Sequence, residues 1–278
     1  MWWLALIVIA IMLIILKTNS SFTHVSEIPR IIWTYWDSDE LPDIIQKSVE
    51  NWKQYSPEYD VRVVTPKTLT QFLPEKDFSK FWPGDIVQRK VDLIRLYLVA
   101  KYGGIWSDAS IAVKKNHSEI VGTGHDFMGY YREAFTKNKE RPVIENWFFA
   151  APQGSDFVTK WRDEFERSAN FNKIQDYLDD VKAKGVDFQN MSQSNAEYMT
   201  PYISAQVVMA SHGIKNMRLE KSDDGPFKHS TSANWDPKKA MEWLCKSDDL
   251  PDMVKIYGNE RRAVEGDPSL KCMYKVFD

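Results

Sequence analysis

Asp92-Leu93-Ile94-Arg95-Leu96-Tyr97-Leu98-Val99-Ala100-Lys101-Tyr102-Gly103-Gly104-Ile105-Trp106-Ser107-Asp108-Ala109-Ser110 is the stretch on which the reading of this chain turns. It reads as a helix, a two-glycine break and a short strand that ends in an acid. Val87, Val91, Ile94 and Leu98 recur at three- and four-residue spacing, which predicts a helix from about Asp85 with one apolar face. Gly103 and Gly104 stop it, because glycine takes left-handed dihedrals without steric cost. Ile105 and Trp106 then enter a sheet. Asp108 and Ser110 are two apart, so in an extended chain they point the same way.

Two oxygen side chains side by side at a strand end form a half-site for a hard divalent cation. Mg²⁺ and Mn²⁺ take oxygen ligands and keep waters or substrate phosphates as the remainder. Asp92 and Arg95 lie one helical turn apart. They bring a carboxylate and a bidentate anion binder towards the same strand end. The competing reading of this spacing is an intrahelical Asp–Arg pair followed by an unrelated loop aspartate.

The run resembles the signature of capsular-polysaccharide-synthesis type glycosyltransferases, relatives of the initiating yeast mannosyltransferases. Their pattern is an Asp-(apolar)₂-Arg helix, then Tyr-Gly-Gly-Ile-aromatic-x-Asp-x-(Asp/Ser/Thr). Ser110 stands where the strict form carries a second acid, and a serine brings no charge to balance a dication. The resemblance extends in three ordered blocks over residues 28 to about 236. It implies an α/β fold of GT-A type, a Rossmann-like nucleotide-sugar-binding domain with a mixed, mainly parallel sheet. It also implies metal-assisted transfer from a UDP- or GDP-sugar to a glycan hydroxyl, with retention of anomeric configuration. A non-catalytic relative that binds nucleotide sugar or glycan is the alternative, motivated by Ser110.

Composition fits this class. At 278 residues, 43% hydrophobic and 27% charged, the chain can bury an ordinary core. A net charge of −3 leaves no electrostatic footprint for nucleic acid. The 11 Trp, 12 Tyr and 14 Phe suit stacking on bases and sugars, although most aromatic residues of a globular protein serve the core.

Trp2 to Leu16 is an unbroken apolar run followed by Lys17. As a helix it would span about 22 Å, short of the ~30 Å bilayer core. A missing basic n-region and a poor cleavage site favour a signal-anchor over a cleaved signal peptide. The expectation is therefore a single-pass membrane protein, with an anchor at 1–17, a stem at 18–27 and a glycosyltransferase domain at 28–278. The domain would be lumenal in a secretory pathway and otherwise cytoplasmic. Asn19, Asn116 and Asn190 open glycosylation-type triplets, while Lys17 and Arg30 argue against a lumenal domain.

Ile28-Pro29-Arg30-Ile31-Ile32-Trp33-Thr34-Tyr35-Trp36 is a buried-type strand opened by proline. A helix from Leu41-Pro42 to Tyr55 and a strand over Tyr59–Thr65 follow, an order that gives a parallel pair by right-handed crossover. The resemblance places Thr34, Tyr35, Trp36 and Trp106 at the nucleotide, with Asp92 and Arg95. It assigns catalytic roles to Asp108, Asp92, Arg95, Glu145 and Asn146. Glu145 and Asn146 open a second family-like block, Glu145-Asn146-Trp147-Phe148-Phe149-Ala150-Ala151, at the entrance of a strand. The third block, Phe227 to Trp235, contributes His229 as a ligand of the metal with Asp108 and Ser110. Asp223 and Asp224 are candidates for acceptor binding or base chemistry. Cys245 and Cys272 either pair in a disulfide or stay free, according to compartment.

Overall fold

The computed structural model describes residues 27–76, 78, 87–191, 196–213 and 215–278. The elements run β1 (Ile31–Tyr35), α1 (Asp43–Tyr55), β2 (Asp60–Val64), α2 (Leu69–Phe72), α3 (Val87–Tyr102), β3 (Gly104–Ser107), β4 (Ile111–Val113) and α4 (His117–Val121). They continue with β5 (Phe127–Tyr131), β6 (Ile144–Ala151), α5 (Asp156–Ser168), α6 (Ile174–Ala183), α7 (Ala196–His212) and β7 (Met217–Lys221). The last are α8 (Lys228–Ser232), α9 (Pro237–Lys246), β8 (Met253–Lys255), α10 (Gly258–Gly266) and a 3₁₀ helix over Pro268–Phe277.

Six strands form one mixed sheet in the order β2-β1-β3-β6-β5-β7. β1 runs parallel to β2 and β3, and β5 parallel to β7, while β6 is antiparallel to both β3 and β5. Three of the five pairings are thus parallel, and the expected α/β architecture holds. Both faces of the sheet are covered, which is why its strands read as continuous apolar runs rather than alternating ones. Trp33, Trp106, Phe149 and Phe127 pack on one face with α3, α5 and α7. Ile32, Ile105, Phe148 and Met128 pack on the other with Val49 and Trp52 of α1.

The helix before the glycines is more deeply set than its spacing predicts. Every residue from Asp92 to Ala100 is buried, because α3 lies between the sheet and a second layer that includes Leu69, Leu73, Phe157 and Trp161. Val87, at the other end of the expected stripe, is 42% exposed. The expected start near Asp85 lies outside the described residues.

Gly103 and Gly104 have φ of +67° and +98°. A Cβ on Gly104 would stand 2.6 Å from the Ile31 carbonyl oxygen, and one on Gly103 2.5 Å from the Gln153 nitrogen. Both neighbours are backbone and cannot turn away. Gly104→Ala is therefore expected to destabilise the fold by about 2 kcal/mol, from steric overlap and dihedral strain together. Urea unfolding measures this, and a loss below about 0.5 kcal/mol would mean that β1 and β3 are not held this closely.

Ile111–Val113 does not continue β3 but pairs with β8 in a separate two-stranded sheet. The Asp108 N–H leaves the β3 edge by donating to the Trp147 carbonyl, and the Ser110 carbonyl accepts from Ile256 N–H. Residues 108–110 thus carry the chain between the sheets. Ser155 caps α5, its side chain accepting from Val158 N–H. Phe227 to Trp235 contains a short helix, Lys228–Ser232. Cys245 and Cys272 form a disulfide with 5.1 Å between Cα atoms, fixing the C-terminal 3₁₀ segment to α9.

The single-pass membrane expectation is corrected. Among the described residues no helix is long and apolar enough to cross a membrane, and the run assigned to an anchor at 1–17 lies outside them. So does most of the stem at 18–27.

Candidate active site

β1 and β3 are parallel neighbours, so their carboxyl ends lie side by side. In open α/β sheets this is where ligands bind. Asp108 follows β3 directly. β6 runs antiparallel to β3, with Ser107 opposite Phe148, so the first residues of β6 arrive at the same place. Glu145 and Asn146 are therefore inside a strand, one or two residues beyond its start, and both are buried. Asp92 and Arg95 approach from α3, and Lys255 closes the group from the end of β8.

Arg95 is the centre of the group. One guanidinium nitrogen lies 3.0 Å from Asp92 Oδ1 and 3.4 Å from Asp108 Oδ1. Its Nη1 donates to the Asn146 carbonyl at 2.5 Å, and the guanidinium carbon sits 5.1 Å above the Trp106 ring. The Asn146 side chain donates to Asp92 Oδ1 at 2.9 Å. Asp108 accepts from Trp106 Nε1 at 3.0 Å and from Lys255 Nζ at 2.8 Å. Arg261 Nη1 donates to Ser110 Oγ at 2.9 Å, and Ser110 donates onward to the Ile256 carbonyl at 2.7 Å.

The two aspartates have opposite electrostatics. Burial pushes Asp92 up to about 6, with Arg95 opposing the shift and Asp108 adding to it. Burial also raises Asp108, but Lys255 and Arg95 outweigh it and hold that carboxyl below its usual value. Burial raises Glu145 to about 7, against Arg132 and the Tyr202 hydroxyl. That hydroxyl lies 3.3 Å from both Glu145 Oε2 and Asn146 Oδ1.

Four expected nucleotide contacts have distinct settings. Thr34 is fully buried at the end of β1, and its hydroxyl has no partner among the described residues. Tyr35 is buried and donates to Asp37 at 2.6 Å. Trp36 is half-buried, with the Arg261 guanidinium 5.5 Å from its ring. Trp106 is fully buried beneath Asp108 and Arg95, so it has no free face for a base and reaches a ligand only by orienting those two.

The expected metal ligands do not converge. Ser110 is taken up between Ile256 and Arg261. His229 is fully buried in α8, with Nε2 3.4 Å from Glu260 and 3.1 Å from the Ser230 hydroxyl. Ser230 donates to Glu260 at 2.7 Å, and Glu260 accepts from Tyr257 N–H, so this cluster ties α8 to the start of α10. Asp108 carries two cations on its oxygens. Among the described residues no three His, Cys, Asp or Glu side chains gather as a cage. Mg²⁺ and Mn²⁺ can complete their shell with waters and phosphates, but the Asp108 carboxylate already carries Lys255 and Arg95, so the residues as arranged fit a dication poorly. Asp223 accepts from Glu133 N–H and lies 3.5 Å from Arg132, while Asp224 pairs with Lys221 at the surface.

Sequence reasoning missed Lys255, Arg261, Tyr202 and Arg132. For Lys255 a signal existed: Met253-Val254-Lys255-Ile256-Tyr257 places a lone cation inside an apolar run. Such a lysine is either a solvated strand face or a buried charge with a partner.

Residues 7–195 match the family described as capsular polysaccharide synthesis protein, and the chain belongs to it. Among curated relatives, glycosyltransferase afumC of Aspergillus fumigatus is 29% identical over 154 residues, covering 49% of this chain and 39% of its own length. O-glycosyltransferase braB of Annulohypoxylon truncatum is 27% identical, covering 49% and 37%. The chain thus spans well under half the length of these relatives. Among solved structures, the UDP-bound glycosyltransferase domain from the YGT toxin aligns with 89% of this chain and 98% of its own at a TM-score of 0.46 and 9% identity.

Proposed function

We propose that this chain is a glycosyltransferase of GT-A type that moves a sugar from a nucleoside-diphosphate sugar to a hydroxyl of a glycan or other acceptor. The observation that carries this reading is the Asp92–Arg95–Asp108–Lys255 group at the carboxyl ends of β1 and β3. Family membership supports it, as do relatives named glycosyltransferases and, in one case, an O-glycosyltransferase.

Bond cleavage between the sugar and the diphosphate develops negative charge on the leaving phosphate. Preorganised cations aimed at that charge lower the barrier. Arg95 and its neighbours supply them here. Asp92 and Asn146, joined by a hydrogen bond, face the donor sugar's hydroxyls in this scheme. Tyr35 and Trp36, at the exit of β1, take the nucleoside.

Retention is the stereochemistry we assign. Asp108 is bound to two cations, and Glu145 is buried against Tyr202. Asp108 is thereby kept from accepting the acceptor's proton, whereas in a retaining transfer the leaving phosphate takes it. The donor base and the acceptor are the variables of the test.

The test is a panel of UDP- and GDP-sugars incubated with the full chain, with release of nucleoside diphosphate as readout. One donor is expected to turn over, and Asp108→Asn to reduce its rate by about 10²-fold or more. Failure to release nucleotide, together with failure of every nucleotide to raise the melting temperature, would reject the reading. Stabilisation by nucleotide without turnover in the presence of acceptors would favour a binding-only relative, the alternative that Ser110 motivates.

A further inference from the structure

We infer that Lys255, with Arg261 and Arg95, supplies the positive charge that neutralises the donor diphosphate, so that sugar transfer by this chain proceeds without a divalent cation. The inference rests on the sugar-transfer reading and adds the identity of the group that meets the leaving charge.

Lys255 is fixed and buried. It ends a three-residue strand, pairs in register with Ile111 and is 6% exposed. Its N–H donates to the Pro226 carbonyl, and the next residue's N–H donates to the Ser110 carbonyl. Its ammonium is thereby delivered to Asp108 by backbone hydrogen bonds on both sides. Burying an ammonium is costly even when it is paired. A salt bridge for stability alone would be better placed at the surface or replaced by apolar packing.

Three cations converge on this edge: Arg95 on Asp92 and Asp108, Lys255 on Asp108, and Arg261 on Ser110, with Glu145, Glu260 and Glu265 acting on them from further out. Among the described residues Arg261 makes no ion pair. Its Nη1 goes to a neutral hydroxyl, that of Ser110, and its guanidinium lies against Trp36. Burial lowers the pKa of Arg261, and Asp108 opposes that shift. The group thus gathers three cations, one of them without an ion pair among the described residues, at the place where a dianionic diphosphate would lie.

Ser110 explains why a cation can stand there. A second carboxylate at this position would have bound Arg261 as an ion pair, or a dication together with Asp108. A neutral serine does neither and leaves the guanidinium with charge to offer. A dication on Asp108 would have to displace or crowd an ammonium 2.8 Å away, with a guanidinium nitrogen at 3.4 Å. Side-chain cations and a dication are alternative solutions to the same leaving-group problem, and the residues present build the first.

The experiment uses the full chain and the donor that turns over in the panel. Nucleotide release is measured in EDTA, in Mg²⁺ and in Mn²⁺. Binding of the matching nucleoside diphosphate and of the nucleoside alone is measured by calorimetry in EDTA. The expected result is equal turnover, within about twofold, in all three conditions. Lys255→Met should lose about 10²-fold in rate. It should also lose at least about tenfold in diphosphate affinity while nucleoside affinity stays unchanged. Lys255→Arg, which keeps the charge, should recover part of both and serves as the variant that folds if Met does not. Turnover seen only with Mn²⁺ or Mg²⁺, or equal diphosphate affinity in wild type and both variants, overturns the inference and leaves sugar transfer standing. No turnover and no nucleotide binding under any condition overturns both.

Discussion

Arg95→Met is expected to lower the stability of this protein at neutral pH by about 3–5 kcal/mol, the range for removing one partner of a buried ion pair. Methionine keeps most of the stem's volume, so the loss isolates the charge and its hydrogen bonds. Three groups lose their partner at once. Asp92 keeps the Asn146 amide and the more distant charge of Arg89, Asp108 keeps Lys255 and Trp106, and the Asn146 carbonyl loses its 2.5 Å donor. The side chains of Arg95 and Asp92 are 7% and 13% exposed, so water replaces little of this.

The loss should depend on pH in a set direction. Asp92 is already raised to about 6 with Arg95 present, burial being the cause. Without the guanidinium its pKa rises further, because an opposite charge no longer favours the anion. At pH 5 the variant's Asp92 is protonated, and the uncompensated charge is gone. The destabilisation should therefore be smaller at pH 5 than at pH 8. Asp92→Asn in the Arg95→Met background should restore part of the loss at pH 8. Urea unfolding of the four proteins of this cycle at both pH values checks it. A destabilisation below about 1 kcal/mol at pH 8 would show that Arg95 is not the organising cation of the site.

The same residue shows what was legible in advance. Asp92, Arg95, the glycine pair and Asp108 lie in one run of sequence, and each has a local cause. The glycines are forced by positive φ, the acid by a strand end, and the Asp–Arg pair by helical spacing. That was enough to place the sheet and its functional edge. The partners that complete the site come from far along the chain. Lys255 is 147 residues from Asp108, and β8 is only three residues long, so no periodicity announces it. His229 has a setting that its sequence context does not announce. A late histidine followed by a serine looked like a ligand, but in three dimensions the pair His229–Ser230 closes on Glu260. Nothing local in the sequence connects residues 30 positions apart in that way. The depth of α3 was hidden for a similar reason: spacing reports one apolar face, and the second covering layer is built by residues before and after it.

Glu145→Gln is expected to make the protein more stable, increasingly so as the pH rises from 4.5 to 7. Glu145 sits in β6, 4% exposed, and burial raises its folded pKa to about 7 from a reference of 4.5. A carboxyl raised on folding binds more protons in the folded than in the unfolded chain between those values. Stability from this group is therefore complete below pH 4.5 and lost as the pH passes through 7. The gap corresponds to about 3 kcal/mol at 1.36 kcal/mol per unit. Glutamine stays neutral at every pH and still accepts from the Tyr202 hydroxyl, whose own pKa burial holds well above its usual value. The difference in unfolding free energy, Gln variant minus wild type, should be flat below pH 4.5, climb through pH 5–7 and level off near pH 8. A difference that does not change with pH would mean that Glu145 ionises as readily in the folded chain as in the unfolded one. A rising difference would identify a buried carboxyl held half-protonated at neutral pH beside the donor site. Its cost to the fold would then be removable, and the price of removing it would be read in the transfer rate.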